Sequence, residues 1–173
     1  EIAMSDWSSD VCSSDLKLTK VFRFERRIII MGKISVVYWS QSGNTLAMAE
    51  AIGKGITDGG AQAEVVNVSS CQVSDLDTEE VFALGCPAMG AEVLEESEME
   101  PFVAELEGNV KGKKIALFGS YGWGDGQWMR DWEERMISAG ATVVNGEGLI
   151  CQEAPDGDVI SECESLGKQL AGM

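Results

Sequence analysis

The 173-residue chain contains no histidine. Catalysis by Ser-His-Asp or Cys-His groups is therefore excluded, and so are metal sites that need imidazole ligands. The sequence also lacks a run of about 18 apolar residues, the length that a membrane-spanning helix requires. Its five cysteines form no C-x-x-C pair. This odd, scattered set favours reduced thiols in a cytoplasmic protein over a disulfide framework or an iron–sulfur centre.

Positive charge is scarce, with 13 Lys and Arg against 29 Asp and Glu and a net charge of −16. Residues 1–30 contain five acids and five bases, so residues 31–173 hold 24 acids and only 8 bases. Such a surface repels nucleic acid and anionic membranes and attracts basic proteins. The strong like charge also favours a monomer.

Residues 1–30 differ in character from the rest of the chain. They begin at Glu1 and carry a basic patch at 17–27, whereas the Met-Gly-Lys triplet at 31–33 resembles a natural start. We expect residues 1–30 to be a non-native or disordered extension and residues 31–173 to form one domain. A basic amphipathic membrane anchor over 16–30 is the minor alternative.

From Lys33 onward, short apolar runs alternate with helical patterns. The apolar runs lie at 34–38, 65–68, 81–86, 115–118 and 141–144, with 149–150 resuming the last. The helical patterns lie at about 46–55, 101–107, 127–139 and 158–170. This rhythm predicts an α/β fold with a doubly wound, five-stranded parallel sheet of order 2-1-3-4-5 and helices on both faces. Ligands of such sheets bind beyond the carboxyl ends of the strands.

The first polar loop at that edge has the sequence W-S-Q-S-G-N-T over 39–45. It leads into a helix, so its amides and the positive end of the helix suit a phosphate. The loop has no Lys or Arg and matches neither the triphosphate nor the dinucleotide glycine motif. An ordinary strand-to-helix turn capped by Asn44 or Thr45 is equally compatible with these residues.

Two further loops carry groups suited to a flat ligand. Trp123 stands between glycines in the loop at 120–126, where stacking on a ligand is favoured over a role as a partly buried anchor. Met89, in the loop at 86–92, is a soft side chain for the opposite face, although by itself a core position is more typical.

The second loop is also expected to contain a tight turn from Met89 to Glu92. Gly90 is able to take positive φ at its first central position, as a type II′ turn demands, with Ala91 at the second. The Glu92 carboxylate then either accepts a hydrogen bond from a ring N–H or is a solvated acid at the start of a helix.

With these motifs the sequence resembles the short-chain flavodoxins, from Met31 to the C-terminus. The matching runs are V-Y-W-S-x-S-G-N-T at 37–45, L-G-C-P-A-M-G at 84–90, E-V-L-E-E-S-E at 92–98 and K-K-I-A-L-F-G-S-Y-G-W-G-D-G at 113–126. The resemblance implies non-covalently bound FMN and low-potential, one-electron transfer between redox enzymes, by a carrier that is not itself an enzyme. The alternative is an FMN-dependent NAD(P)H:quinone or flavin reductase on the same fold.

The resemblance also implies where the cofactor lies. The FMN phosphate is expected on 40–45 and the isoalloxazine ring between Met89 and Trp123, with Glu92 near the pyrimidine N3. The implied contacts are Trp39, Ser40, Gln41, Ser42, Gly43, Asn44, Thr45, Ala88, Met89, Gly90, Ala91, Glu92, Ser120, Tyr121, Gly122, Trp123 and Gly124. Neither a catalytic residue nor a metal is implied.

Three positions depart from the family pattern. Pro87 and Gln41 stand where relatives often carry Ser and Gly, which we expect to alter phosphate affinity. In the family, the peptide after the turn glycine turns over on one-electron reduction, and its carbonyl accepts a hydrogen bond from the semiquinone N5–H. We expect Ala91, which prefers φ < 0, to favour the turned-over form of this peptide. The expected partners are basic reductases, oxidoreductases and hydrogenase-type enzymes.

Overall fold

The computed structural model describes residues 32–173, so the expectations for residues 1–30 lie outside the described residues. The strands are β1 Lys33–Tyr38, β2 Gln62–Asn67, β3 Val81–Gly85, β4 Lys114–Tyr121, β5 Thr142–Val143 and β6 Leu149–Gln152. The α-helices are α1 Asn44–Asp58, α2 Met99–Leu106, α3 Gln127–Ser138 and α4 Gly157–Ala171. None of these helices combines the length and the apolar character needed to cross a membrane.

The sheet is parallel, with the order β2-β1-β3-β4-β5, and β6 pairs with β4 beyond β5. This confirms the predicted order 2-1-3-4-5. The fifth strand is interrupted, because a short 3-10 turn at Val144–Gly146 separates its two parts. The break agrees with the two apolar runs expected there.

Apolar side chains pack on both faces of the sheet. Val37 and Phe82 belong to one core, together with Trp132 of α3. Val36 belongs to the other core, with Ile52 of α1 and other side chains from α1 and α4. Neighbouring residues of a strand point to opposite faces, so a sheet covered on both sides needs continuous apolar strands.

Helices α1 and α4 approach each other backbone to backbone at glycines. A Cβ atom added at Gly55 would lie 2.1 Å from the Glu164 carbonyl oxygen, and one at Gly167 would lie 2.1 Å from the Ile52 carbonyl oxygen. Any side chain at these positions forces the helices apart.

The Glu95 carboxylate is buried just before α2. It accepts hydrogen bonds from the backbone amides of Ser97 and Glu98, each at 2.8 Å, and of Met99 at 3.1 Å. Burial by itself would raise the pKa of Glu95, but the amide bonds from Glu98, Ser97 and Met99 outweigh it and lower the pKa below its usual 4.5. The carboxylate therefore stabilises the entry into α2.

We expect Glu95→Gln to lower the free energy of unfolding at pH 7 by about 2 kcal/mol. Because the pKa of Glu95 is lower in the folded than in the unfolded chain, its contribution is present above the unfolded value and disappears as the pH falls through the folded value. The variant should therefore lose less stability than the parent between neutral and acidic pH. Urea denaturation at a series of pH values measures this, with exposed Glu96→Gln as the control. Parallel pH profiles for parent and Glu95→Gln would contradict the prediction.

Candidate cofactor site

The loop after β1 leads directly into α1 through a glycine. Gly43 is the N-cap of α1, with φ +91° and no side-chain cap, and its amide donates to the Ser40 hydroxyl at 3.1 Å. The expected alternative, a cap by Asn44 or Thr45, is thus not what the structure contains. The amides of the first turn of α1 are left to meet an anion without competition from a capping side chain.

Two side chains of this loop connect it to other elements. Thr45 is buried, and its hydroxyl lies 3.3 Å from the hydroxyl of Ser120 at the end of β4. The Trp39 indole N–H donates to the Glu98 carboxylate at 2.9 Å, while its backbone N–H donates to the Gly85 carbonyl. The loop is therefore fixed to the ends of β3 and β4 before any ligand arrives.

The second loop extends β3 before it turns. The Ala88 amide donates to the Ser120 carbonyl at 2.9 Å, so Met89 follows a segment held against β4. Met89 and Val93 exchange two backbone hydrogen bonds of 2.9 Å. The turn therefore encloses three residues, Gly90 to Glu92, and is one residue wider than the Met89-to-Glu92 turn expected from the sequence. Gly90 has the expected positive φ, at +50°.

Glu92 connects the second loop to the third. It adopts φ +54°, and its Oε1 accepts from the amides of Asp125, Gly126 and Gln127 at 3.2, 3.0 and 3.1 Å. These amides lie at the start of α3, whose N-cap, Gly126, has no side-chain cap of its own. Glu92 is thus not a solvated acid, and it does not start a helix in its own segment. From its place in the second loop it caps α3, the helix that follows the third loop.

The third loop is exposed at its tip and anchored at its base. The Trp123 side chain is 65% exposed and is not part of the core. At the base, the Trp128 indole N–H donates to the Cys86 carbonyl at 3.2 Å, and its ring packs against that of Tyr121 with centroids 5.6 Å apart. An exposed tryptophan on an anchored loop is available to stack on a planar ligand.

A pocket of about 230 Å³ lies where the three loops meet. It is lined by Gln41, Ser42, Asn44, Pro87, Ala88, Met89, Ser120, Tyr121, Gly122 and Glu153. Eight of these residues are among the contacts expected from the sequence. The other expected contacts belong to the same three loops but do not line the pocket. Gly90, Ala91, Trp123 and Gly124 are exposed, Trp39, Ser40, Gly43 and Thr45 lie in the first loop, and Glu92 is the third residue of the turn.

Glu153 is the lining residue that sequence reasoning missed. It follows β6, has φ +59°, and its amide donates to the Tyr121 carbonyl at 2.7 Å. The signal was present, because β6 resumes the fifth strand and its carboxyl end must open on the same edge of the sheet.

The donors of this pocket fit an FMN phosphate. No Lys or Arg of residues 32–173 lines it, and its polar groups are backbone amides, hydroxyls, side-chain amides and the Glu153 carboxylate. Its volume is below the ~300–1,000 Å³ typical of a site that encloses a small molecule. The pocket is thus large enough for a phosphate with a sugar-sized group but not for a whole flavin, and Met89 lies in its lining.

The thiol at the start of the second loop adds no charge to this pocket. Burial raises the pKa of Cys86 to about 12, with a smaller contribution from nearby carboxylates. The four cysteines of the described part, Cys71, Cys86, Cys151 and Cys163, are free thiols.

Comparison with known proteins places the chain in a family. The model of the family described as Flavodoxin matches residues 36–166. The protein belongs to the flavodoxin family. It is therefore an FMN-binding electron carrier and not an enzyme, as expected, and the reductase alternative gains no support from these matches.

Individual flavodoxins match over most of their length. A flavodoxin from Clostridium beijerinckii is 51% identical over 140 residues, which cover 81% of this chain and 100% of the relative. One from Megasphaera elsdenii is 46% identical over 138 residues, covering 80% and 98%. The solution structure of two-electron reduced Megasphaera elsdenii flavodoxin superposes with a TM-score of 0.73 at 44% identity, covering 81% of this chain and 99% of that one.

Proposed function

We propose that the protein holds FMN where the three loops meet and passes its electrons to basic redox proteins. The observation that carries this proposal is the convergence of the three loops on one pocket that no Lys or Arg of the described residues lines. In this arrangement, 40–45 holds the phosphate beside Trp39, while Met89 and Trp123 face the two sides of the ring.

Each part of the site has a distinct task. FMN, when bound, supplies the ability to accept and release electrons singly. The amides at the start of α1 orient the phosphate, and the backbone of 120–124 offers donors and acceptors to the pyrimidine edge. Glu92 is fixed by α3 through Oε1, which leaves Oε2 to accept from the ring N3–H. Trp123 and Met89 exclude water from the two faces of the ring.

This proposal predicts that FMN binds at least about 100-fold more tightly than riboflavin, since two amide bonds to a charged phosphate supply about 3 kcal/mol or more. Flavin-free protein titrated with each ligand, followed by quenching of flavin fluorescence, measures both affinities. Ser42→Ala should weaken FMN binding and leave riboflavin unchanged, whereas exposed Ser138→Ala should affect neither. Equal affinities for the two ligands would refute the phosphate assignment.

An anaerobic reduction in small steps, followed by visible absorption, tests the function as a whole. The FMN-loaded protein should pass electrons to a partner without oxidising NAD(P)H on its own. A protein that stays colourless with added FMN would refute the carrier function, and rapid NAD(P)H oxidation by the protein alone would favour the reductase.

The proposed partners follow from charge. Residues 31–173 hold 24 acids against 8 bases, and five of those eight bases already contact carboxylates or carbonyls: Lys33, Lys54, Lys113, Arg130 and Arg135. The surface field therefore attracts basic reductases, oxidoreductases and hydrogenase-type enzymes. A monomeric carrier in the cytoplasm, away from membranes and nucleic acid, fits the same charge.

We expect electron transfer to a basic haem protein to slow by about tenfold or more as ionic strength rises, because salt screens the steering field. Stopped-flow kinetics from low salt to well above physiological salt measures the rate. An acidic haem protein is the control, and its rate should stay level or rise. A flat profile with the basic partner would contradict electrostatic steering.

A further inference from the structure

Arg130 lies near the start of α3, beside the third loop, and its guanidinium makes a forked contact with that loop. Nη1 donates to the Asp125 carbonyl at 2.9 Å, and Nη2 donates to the Asp125 carboxylate at 2.9 Å. Nε and Nη2 also donate to the side-chain oxygen of Gln127, at 3.3 and 2.8 Å. A planar guanidinium can bind the backbone and the side chain of one residue at the same time, whereas the single nitrogen of an ammonium cannot reproduce this fork.

Asp125 is bonded from a second side as well. Its amide donates to the Glu92 carboxylate of the second loop at 3.2 Å. The amide, the carbonyl and the carboxylate of Asp125 therefore all have partners, although its side chain is 78% exposed. An exposed ion pair contributes little to the stability of a fold. The contact with Arg130 is therefore expected to act on the position of the loop and not on the stability of the whole domain.

The residues at the tip of the third loop are held by its two ends. Residues 122–124 are all exposed, and two of them are glycines, which have the largest conformational freedom. At the start of the loop, the Tyr121 carbonyl accepts from the Glu153 amide at 2.7 Å. At its end, Asp125 carries the contacts described above. Polar bonds at these two points, and not burial, thus set the position of Trp123.

We propose that Arg130 is a positioning residue for the flavin ring. It holds Asp125, and through Asp125 it keeps the backbone of 120–124 and the Trp123 side chain in the conformation that the ring site requires. This inference rests on the proposed function, in which the third loop meets the pyrimidine edge and one face of the ring. A loop that is ordered before the ligand arrives loses less conformational entropy on binding, so the ligand binds more tightly.

The charge of Arg130 by itself predicts a different effect. A cation near the site attracts anionic FMN, but it does not attract riboflavin, which lacks the phosphate and is neutral. An ordered loop favours both ligands by the same factor, because both carry the same ring. A comparison of the two flavins therefore separates positioning by Arg130 from electrostatic attraction.

The test compares three variants of the full chain with the parent. Arg130→Gln removes both the fork and the charge, and Arg130→Lys removes the fork alone. Lys54→Gln is the matched control, since it removes one positive charge from the ion pair with Glu164, ~15 Å along α1 from the start of that helix. Arg130 and Lys54 are both exposed, so the variants leave the core intact.

Three measurements are made on each variant. Quenching of flavin fluorescence gives the affinities for FMN and riboflavin. Heteronuclear nuclear Overhauser effects of the Gly122 and Gly124 amides report the order of the loop in the flavin-free protein. The urea midpoint reports the stability of the fold.

We expect Arg130→Gln to weaken FMN and riboflavin binding by the same factor, about fivefold. Arg130→Lys should show most of this loss, because its ammonium cannot form the fork. Both variants should lower the Overhauser effects at Gly122 and Gly124 while their urea midpoints stay close to that of the parent. Lys54→Gln should match the parent in all three measurements.

Several results would overturn the proposal. Full recovery in Arg130→Lys, or a loss confined to FMN, is what charge alone produces. Unchanged Overhauser effects in Arg130→Gln would show that Arg130 does not order the loop, and a large fall of the urea midpoint would assign Arg130 to the fold. If the parent binds both flavins and the Arg130 variants bind them equally well, this inference fails and the proposed function stands. A parent that takes up neither flavin refutes the proposed function instead.

Discussion

Glu92→Ala will weaken both the fold and the cofactor site. The substitution removes the side chain that caps α3 from the second loop, so three amides at the start of that helix lose their acceptor. We expect the free energy of unfolding of the FMN-free protein to fall by about 2 kcal/mol, as for the loss of a charged cap. FMN affinity should fall by about tenfold, because the proposed hydrogen bond to the ring and the link between the second and third loops are lost together. Urea denaturation and flavin titration measure the two effects.

Two further variants separate the cap from the charge. Glu92→Gln keeps an oxygen that can accept from the amides, so it should retain most of the stability while changing the charge beside the ring. Gly124→Ala should resemble Glu92→Ala, since its Cβ would lie 2.4 Å from the Glu92 carboxylate on a residue with φ +95°. Exposed Glu96→Ala is the control for loss of a nearby acid. Unchanged urea midpoints in Glu92→Ala would contradict the capping role.

Gly167→Ala should strongly destabilise the protein. Its Cβ would lie 2.1 Å from the Ile52 carbonyl oxygen, and backbone atoms of α1 have no room to yield. We expect a loss of about 3 kcal/mol, the upper end for overpacking. Urea denaturation measures it, with FMN bound and without.

Two milder glycine substitutions keep the prediction testable if Gly167→Ala does not fold. Gly59→Ala should cost less, since its Cβ would lie 2.6 Å from the Ala171 methyl group and no closer than 3.3 Å to a backbone atom. Gly157 lies at the exposed start of α4, and a Cβ added there would have no atom within 4 Å. Gly157→Ala should therefore raise the free energy of unfolding by up to about 1 kcal/mol through helix propensity. Equal effects at Gly167 and Gly157 would contradict the close approach of the helices.

The strand order could be predicted because buried parallel strands consist of consecutive apolar residues. The runs at 34–38 and 81–86 coincide with β1 and β3 to within a residue. The edge strand β2 begins at Gln62, three residues before the apolar run at 65–68 that predicted it. The reason is that Gln62 and Glu64 are exposed and carry no apolar signal. The short α2 begins at Met99, two residues before the predicted helix, because Glu95 supplies the cap from outside the apolar pattern.

The site was predicted at the level of loops and less well at the level of contacts. The meeting of the three loops follows from the rule that loops at the carboxyl ends of neighbouring strands lie together. Eight of the contacts that the resemblance implied line the pocket at that edge. The contact between Glu92 and the start of α3 joins residues more than 30 positions apart, and local patterns contain no information about such pairs. The width of the turn at Gly90 depends on the positive φ of Glu92, which residue type alone does not favour.

The absence of a cation from the phosphate loop has an energetic consequence for the electron itself. An anchoring lysine would neutralise the phosphate, whereas amides bind it and leave its field in place. One unpaired negative charge at ~10 Å, with an effective dielectric constant of ~20, raises the energy of an added electron by about 1.7 kcal/mol. That corresponds to roughly 70 mV for a one-electron couple, on a scale where 59 mV is a factor of ten. The loop proposed to bind the phosphate would thereby also make the reduced carrier a stronger electron donor.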